Sequence, residues 1–84
     1  MNYDAIINEV EAITGTSPLL KGCDRKTVVS RRTAAYLMHH TGMTLVQIGA
    51  ALNLHHSTAL RNIREAYGDN GVMALASRVR RRLE

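Results

Sequence analysis

Eighty-four residues, 45% of them hydrophobic, allow one small domain with a single core, near the lower limit of what folds unaided. The chain has no Phe, no Trp and three Tyr, so Leu, Ile, Val, Met and Ala must supply that core, which suits several short helices packed together. One cysteine, Cys23, excludes an internal disulfide and a multi-thiolate metal site. No Lys or Arg precedes Lys21, so the charged n-region of a signal peptide is missing. No apolar run approaches the ~20 residues of a membrane span. A soluble, cytoplasmic chain with no membrane partner is the expectation.

The net charge of +4 is unevenly placed. Residues 1–20 carry −3, residues 21–64 carry +6 and residues 65–84 carry +1. A basic middle beside an acidic first segment points to one side that faces a polyanion.

In "NYDAIINEVEAITG" the spacing of Ile6, Val10 and Ile13 predicts an amphipathic helix ended by Gly15. "TSPLLKGCDRK" reads as a loop through which Leu19 and Leu20 plug the core. A second helix is expected from Thr27, as N-cap, to Thr41, closed by Gly42. Its inward face should hold Ser30, Ala34, Leu37, Met38 and Thr41, with Arg32, Tyr36 and His39 opposite. Arg25, Lys26, Arg31 and Arg32 should then lie near the surface.

Thr44 is placed to cap a short helix through Leu52, with Leu45, Ile48 and Leu52 inward and Gly49 allowing close approach of a neighbouring helix. In the next segment Leu60, Ile63 and Tyr67 recur at helical spacing and should face the core, leaving Ser57, Thr58, Arg61, Asn62 and Glu65 outward. "GDNG" breaks the chain over residues 68–71. A last helix should bury Val72, Leu75, Ala76, Val79 and Leu83 and expose Arg78, Arg80, Arg81 and Arg82. The fold class is therefore all-α, a single domain of about five helices spanning 1–84.

"TLVQIGAALNLHHSTALRNIR", residues 44–64, combines a capped short helix, a turn and a second helix with a polar outer face. That is the pattern of a helix-turn-helix, in which the first helix braces the second and the second enters the major groove. In common units the second helix's inward residue comes eleven positions after the first helix's apolar marker, here Ile48, which gives Ala59. The periodic set Leu60, Ile63 and Tyr67 sits one position later, so a turn one residue longer than usual is expected.

The order "LVQIGAALNLHHSTAL" resembles the signature of the C-terminal DNA-binding domain of the bacterial replication initiator DnaA, roughly S-L-x-E-I-G-x-x-F-G-G-R-D-H-T-T-V. Upstream, "SRRTAAYL" is similar to that family's A-R-Q-I-A-M-Y-L and "LLKGCDRKTVV" to its basic loop. The first helix and "LASRVRRRL" fit as well, so the likeness spans nearly the whole chain. It implies a Trp-repressor-like helical fold that binds double-stranded DNA. His55 then stands at the family's turn Arg, His56 at its Asp, Ser57 at its His, Thr58 at its first Thr and Ala59 at its second. The resemblance gives these turn and helix-start positions base-reading roles, to which the second helix adds Arg61 and Asn62, one turn further. Thr44 and Leu45 match a Ser-Leu pair whose helix start approaches a phosphate. Arg25, Lys26, Arg31 and Arg32 fall where the family holds the DNA backbone, and Arg64 is grouped with them.

Four of the five residues of R-D-H-T-T differ here, so a different preferred site from the family's origin box is expected. These 84 residues contain no GK[ST] phosphate loop, which points to a free-standing reading module in replication or transcription. His39/His40 and His55/His56 are sequence neighbours that diverge by about 100° on a helix, and so do not form a ligand pair. No metal, no cofactor, no small-molecule substrate and no enzymatic activity are expected, and a monomer is expected over a dimer. The alternative is a protein-interaction module that keeps the fold and binds a replication or transcription protein instead of DNA.

Overall fold

The computed structural model describes residues 2–84, which form five helices and, among the described residues, no strand. Helix α1 (Tyr3–Thr14) starts where the Asn2 side chain accepts the Ala5 amide at 2.8 Å, and it buries Ile6, Ile7 and Val10. It ends at Gly15, whose φ of +74° is open to glycine without strain.

The following loop departs from expectation. Leu19 and Leu20 are 43% and 53% exposed, and Pro18 is the residue that enters the core. The Thr14 hydroxyl bonds the Val10 and Thr16 carbonyls and meets the Ser30 hydroxyl at 3.0 Å, which folds the loop onto the next helix. A turn then returns the Leu20 amide to the Ser17 carbonyl and throws both leucines outward.

Helix α2 (Arg25–His40) begins three residues earlier than Thr27 suggests, because Asp24 is the N-cap. Its carboxylate accepts the Thr27 hydroxyl at 2.8 Å and the Thr27 amide at 3.3 Å, so Thr27 is buried inside the first turn. Those two bonds hold the Asp24 carboxyl below the usual carboxylate range. Ser30, Ala34, Leu37 and Met38 are buried as expected, joined by Thr33 and Ala35. Thr41 instead caps the helix from an exposed position, its hydroxyl on the Met38 carbonyl. Helix α2 packs against all four other helices, which makes it the axis of the fold.

Helix α3 (Leu45–Leu52) carries a full capping box: the Thr44 hydroxyl accepts the Gln47 amide, and the Gln47 side chain accepts the Thr44 amide. Ile48 and Leu52 are fully buried and Leu45 partly so. Three residues, Asn53 to His55, lead into α4 (His56–Tyr67). Asn53 takes the left-handed conformation (φ 58°), one that Asn tolerates better than most side chains.

Helix α4 corrects the expected register. Its buried residues are Ala59, Asn62, Ile63 and Ala66, while Leu60 is only half-buried and Tyr67 is 58% exposed. Ala59 thus occupies the inward place eleven residues after Ile48, and the turn is of ordinary length, not one residue longer. The cause is size: an alanine at the crossing lets the helices approach, and Leu60 and Tyr67 flank the contact instead of filling it.

Helix α5 (Asn70–Leu83) starts inside the "GDNG" segment, because Asp69 caps it through the Gly71 and Val72 amides. It buries Val72, Leu75, Ala76 and Val79, with Leu83 half-buried at its end. One cluster, from Ile6 on α1 to Val79 on α5, forms the core.

Candidate nucleic-acid interface

Helices α3 and α4 meet around Gly49. Its carbonyl accepts the Leu54 amide at 2.7 Å, and a Cβ placed on it would lie 2.5 Å from the Leu54 carbonyl oxygen. What approaches the glycine is therefore the backbone of the turn and of the first residue of α4, the His56 amide nitrogen lying 3.5 Å from that position. This seal fixes the angle at which α4 leaves α3.

At the start of α4, His55 is the N-cap. Its Nδ1 accepts the Ser57 amide at 3.1 Å and lies 2.7 Å from the Ser57 hydroxyl. Because Nδ1 accepts an amide proton, the neutral ring carries its own proton on Nε2, a donor free for another partner. The exposed His56 ring lies against His55 with centroids 4.1 Å apart. Thr58 is half-buried, and its carbonyl accepts the Asn62 side-chain amide at 2.8 Å.

That bond and an exposure of only 6% take Asn62 off the outer face where the spacing had put it. With Ala59 inward, the outermost stripe of α4 is Ser57, Arg61 and Arg64, at intervals of four and three. Arg64, grouped above with backbone contacts, thus shares the stripe with Arg61. Ala59, eleven after Ile48, was the sequence signal that placed it there.

The basic middle divides into tied and untied cations. Arg25 makes a two-pronged pair with Asp69, both contacts 2.7 Å, and Arg32 reaches the same carboxylate at 3.1 Å and also pairs with Glu65. These two arginines fasten α2 to the α4–α5 junction, so their charge is largely balanced within the fold, although Arg25 lies at the surface as expected. Arg25, the strongest donor to it, and the other bonds hold the Asp69 carboxyl far below the usual carboxylate range, and the same pair raises Arg25.

Arg31 donates instead to the Leu20 and Gly22 carbonyls at 3.0 and 3.2 Å. Among the described residues Lys21, Lys26, Arg31, Arg61 and Arg64 have no carboxylate within ion-pair distance. Lys21, which the spacing did not single out, bonds the Asn53 carbonyl in the α3–α4 turn. On α5, Arg80 and Arg82 pair with Glu84 and Glu9. Thr44 and Leu45 sit at the α3 start, where the capping box already engages the Thr44 hydroxyl.

Away from this face, Tyr36 lies between His40 (4.3 Å) and Tyr67 (5.4 Å, edge-on) at the far ends of α2 and α4. Cys23 is exposed. Among the described residues no three His, Cys, Asp or Glu side chains gather as metal ligands, and no helix is long and apolar enough to cross a membrane.

No family model, no curated protein and no solved structure matches the chain.

Proposed function

We propose that this chain binds double-stranded DNA through α3 and α4, as a small module of the kind that regulates replication or transcription. The observation that carries the reading is the outer stripe of α4: Ser57, Arg61 and Arg64 stand exposed on a helix braced at a fixed angle by α3, with no carboxylate paired to either arginine. Arginines on such a stripe suit guanine edges or phosphates in the major groove, and His55 and His56 at the helix start add imidazole donors. Lys21 and Arg31 line a cleft beside that helix from the loop and α2 and suit backbone phosphates, with Lys26 exposed elsewhere on α2. The likeness of residues 45–60 to the DnaA C-terminal signature supports the same reading and with it a single copy on an asymmetric site.

The test is a mobility shift with random-sequence duplex over a range of salt. Neutralising ~4 phosphates gives a slope of about −4 in log affinity against log salt. Absence of a shift at low salt, or a flat salt response, defeats the proposal.

A second reading, a protein-interaction module, is favoured by the exposed Tyr67 beside Tyr36 and His40, since aromatic side chains concentrate at protein interfaces. Absence of duplex binding by the folded chain at low salt favours this second reading.

A further inference from the structure

Between α2, α4 and the loop before α2 lies a cleft of about 310 Å³, at the small end of ligand-sized clefts, about 300–1,000 Å³. Lys21, Arg31, Arg32 and Arg61 line it, with Glu65 the one carboxylate. Glu65 is turned to Arg32, and Arg32 is further balanced by Asp69. Three cations, Lys21, Arg31 and Arg61, therefore converge on one concave space with no counter-charge of their own.

Two of the three are held there by backbone carbonyls. Arg31 bonds the carbonyls of Leu20 and Gly22, on either side of Lys21, so it grips the loop that presents the lysine. Lys21 in turn reaches across to the Asn53 carbonyl at the other rim. Each keeps donors to spare: a lysine ammonium has three and an arginine five. Thr58 also lines the wall, and Val28 and Leu54 supply apolar sides that sharpen the field. Cations fixed in advance around a concavity repel one another, and an anion entering between them removes that cost without any side chain having to be reordered.

We propose that this cleft is a phosphate seat in which Lys21, Arg31 and Arg61 hold one phosphoryl group. The seat goes beyond the reading of bases by α4, because it needs only the phosphate, whether a duplex backbone or a free phosphate ester supplies it. Arginine donors in a planar fork and a lysine point charge suit three oxygens of a tetrahedral anion.

The test is titration of the full chain with inorganic pyrophosphate, against sodium chloride at matched ionic strength, followed by amide and arginine Nε–H resonances. Saturable shifts confined to Lys21, Leu54, Thr58 and the Nε–H groups of Arg31 and Arg61 are the expected result. Arg61→Gln, an exposed residue with no internal partner, should weaken binding about tenfold or more, as expected for loss of one charge-assisted contact. Lys21→Gln should act likewise, and Arg81→Gln on α5 should leave binding unchanged. Shifts that follow ionic strength alone, or that keep their full affinity in Arg61→Gln, or that Arg81→Gln reduces equally, overturn the seat.

Competition with random duplex then separates the sources. Displacement of pyrophosphate by duplex assigns the seat to the DNA backbone. Pyrophosphate binding that survives bound duplex, or that occurs where no duplex binds at all, assigns it to a free phosphate ester, and the last outcome defeats the DNA proposal while the seat stands. Duplex binding without saturable pyrophosphate binding defeats the seat alone.

Discussion

Replacing Gly49 by Ala tests the joint on which the α3–α4 unit depends. An added Cβ would sit 2.5 Å from the Leu54 carbonyl oxygen, against 3.4 Å where ordinary contact begins, a shortfall of about 0.9 Å. The obstacle is turn backbone, with the His56 amide nitrogen next at 3.5 Å, so no flexible side chain can swing away. Moving the turn also disturbs the 2.7 Å bond from the Leu54 amide to the Gly49 carbonyl. Over-packing of this kind costs about 2–3 kcal/mol, the upper part of its usual span, and alanine's better helix propensity returns about 1 kcal/mol. The net loss is about 1–2 kcal/mol, and each kcal/mol lowers the melting temperature of a domain this size by roughly 4–8 °C. Gly68→Ala is the control: φ there is −94° and the nearest atom, the Glu65 carbonyl oxygen, is 3.9 Å away. That variant should be neutral or gain up to about 1 kcal/mol. Denaturant or thermal unfolding of both variants decides the matter. Equal stability of Gly49→Ala and Gly68→Ala would refute the sealed turn.

Asp69→Ala should lose the α5 cap, worth about 0.5–2 kcal/mol at pH 7, together with the arginine pairs, as read by urea unfolding. Because the folded state depresses the Asp69 pKa, its contribution is present above the ordinary carboxylate value and is lost as pH falls below it; the gap between wild type and Asp69→Ala should therefore be full at pH 7 and shrink below about pH 4. A gap that is constant from pH 7 to pH 2 contradicts this. On the DNA reading, Arg64→Ala should cost about 1–3 kcal/mol of base discrimination in a selected-site binding series, whereas Arg61→Ala, acting through the phosphate seat, should weaken all sequences by a similar factor. Asn62→Ala should instead show its effect in unfolding, through its buried bond to the Thr58 carbonyl, and a pure specificity change there would restore Asn62 to the reading surface. Ile63→Ala should cost about 2–5 kcal/mol of stability, measured by urea unfolding. Sedimentation should show a monomer, and a tight dimer with a palindromic selected site would overturn the single-copy reading.

Local chemistry was legible where a residue acts through its own backbone. Gly15 and Thr44 declared themselves because a positive φ or a free helix amide restricts which side chain can stand there, whereas Asp24, His55 and Asp69 cap their helices without having been singled out. Periodicity weighted by bulk sets the α4 register one position off. Leu60 and Tyr67 form a larger apolar set than Ala59 and Ala66, yet close helix crossings select the small residues and leave bulky ones at the margin. That shift of one position is what moved Asn62 inward and Arg64 outward. The Leu19–Leu20 pair failed for a related reason: hydrophobicity does not reveal a turn set by the Thr14 and Ser17 hydroxyls. Which arginines are free was not readable at all, since the partners of Arg25 and Arg32 lie 44 and 37 residues further along the chain.

The Asp69 carboxylate closes a ring. From Arg25 out along α2, through α3 and α4 and back to Asp69, a stretch spanning 44 residues is fastened at its two ends by one carboxylate and one guanidinium. The α3–α4 unit lies wholly inside that ring, whereas α1 lies outside it, joined through apolar contact and the Glu9–Arg82 pair. Chain entropy then treats the two parts differently. With the clasp shut, the loop that α3 and α4 close against α2 is already fastened at its ends, which lowers the entropy cost of their contacts, whereas α1 gains nothing from it. The clasp thus serves the frame that carries the candidate interface, while the first helix depends on its own buried face of Ile6, Ile7 and Val10.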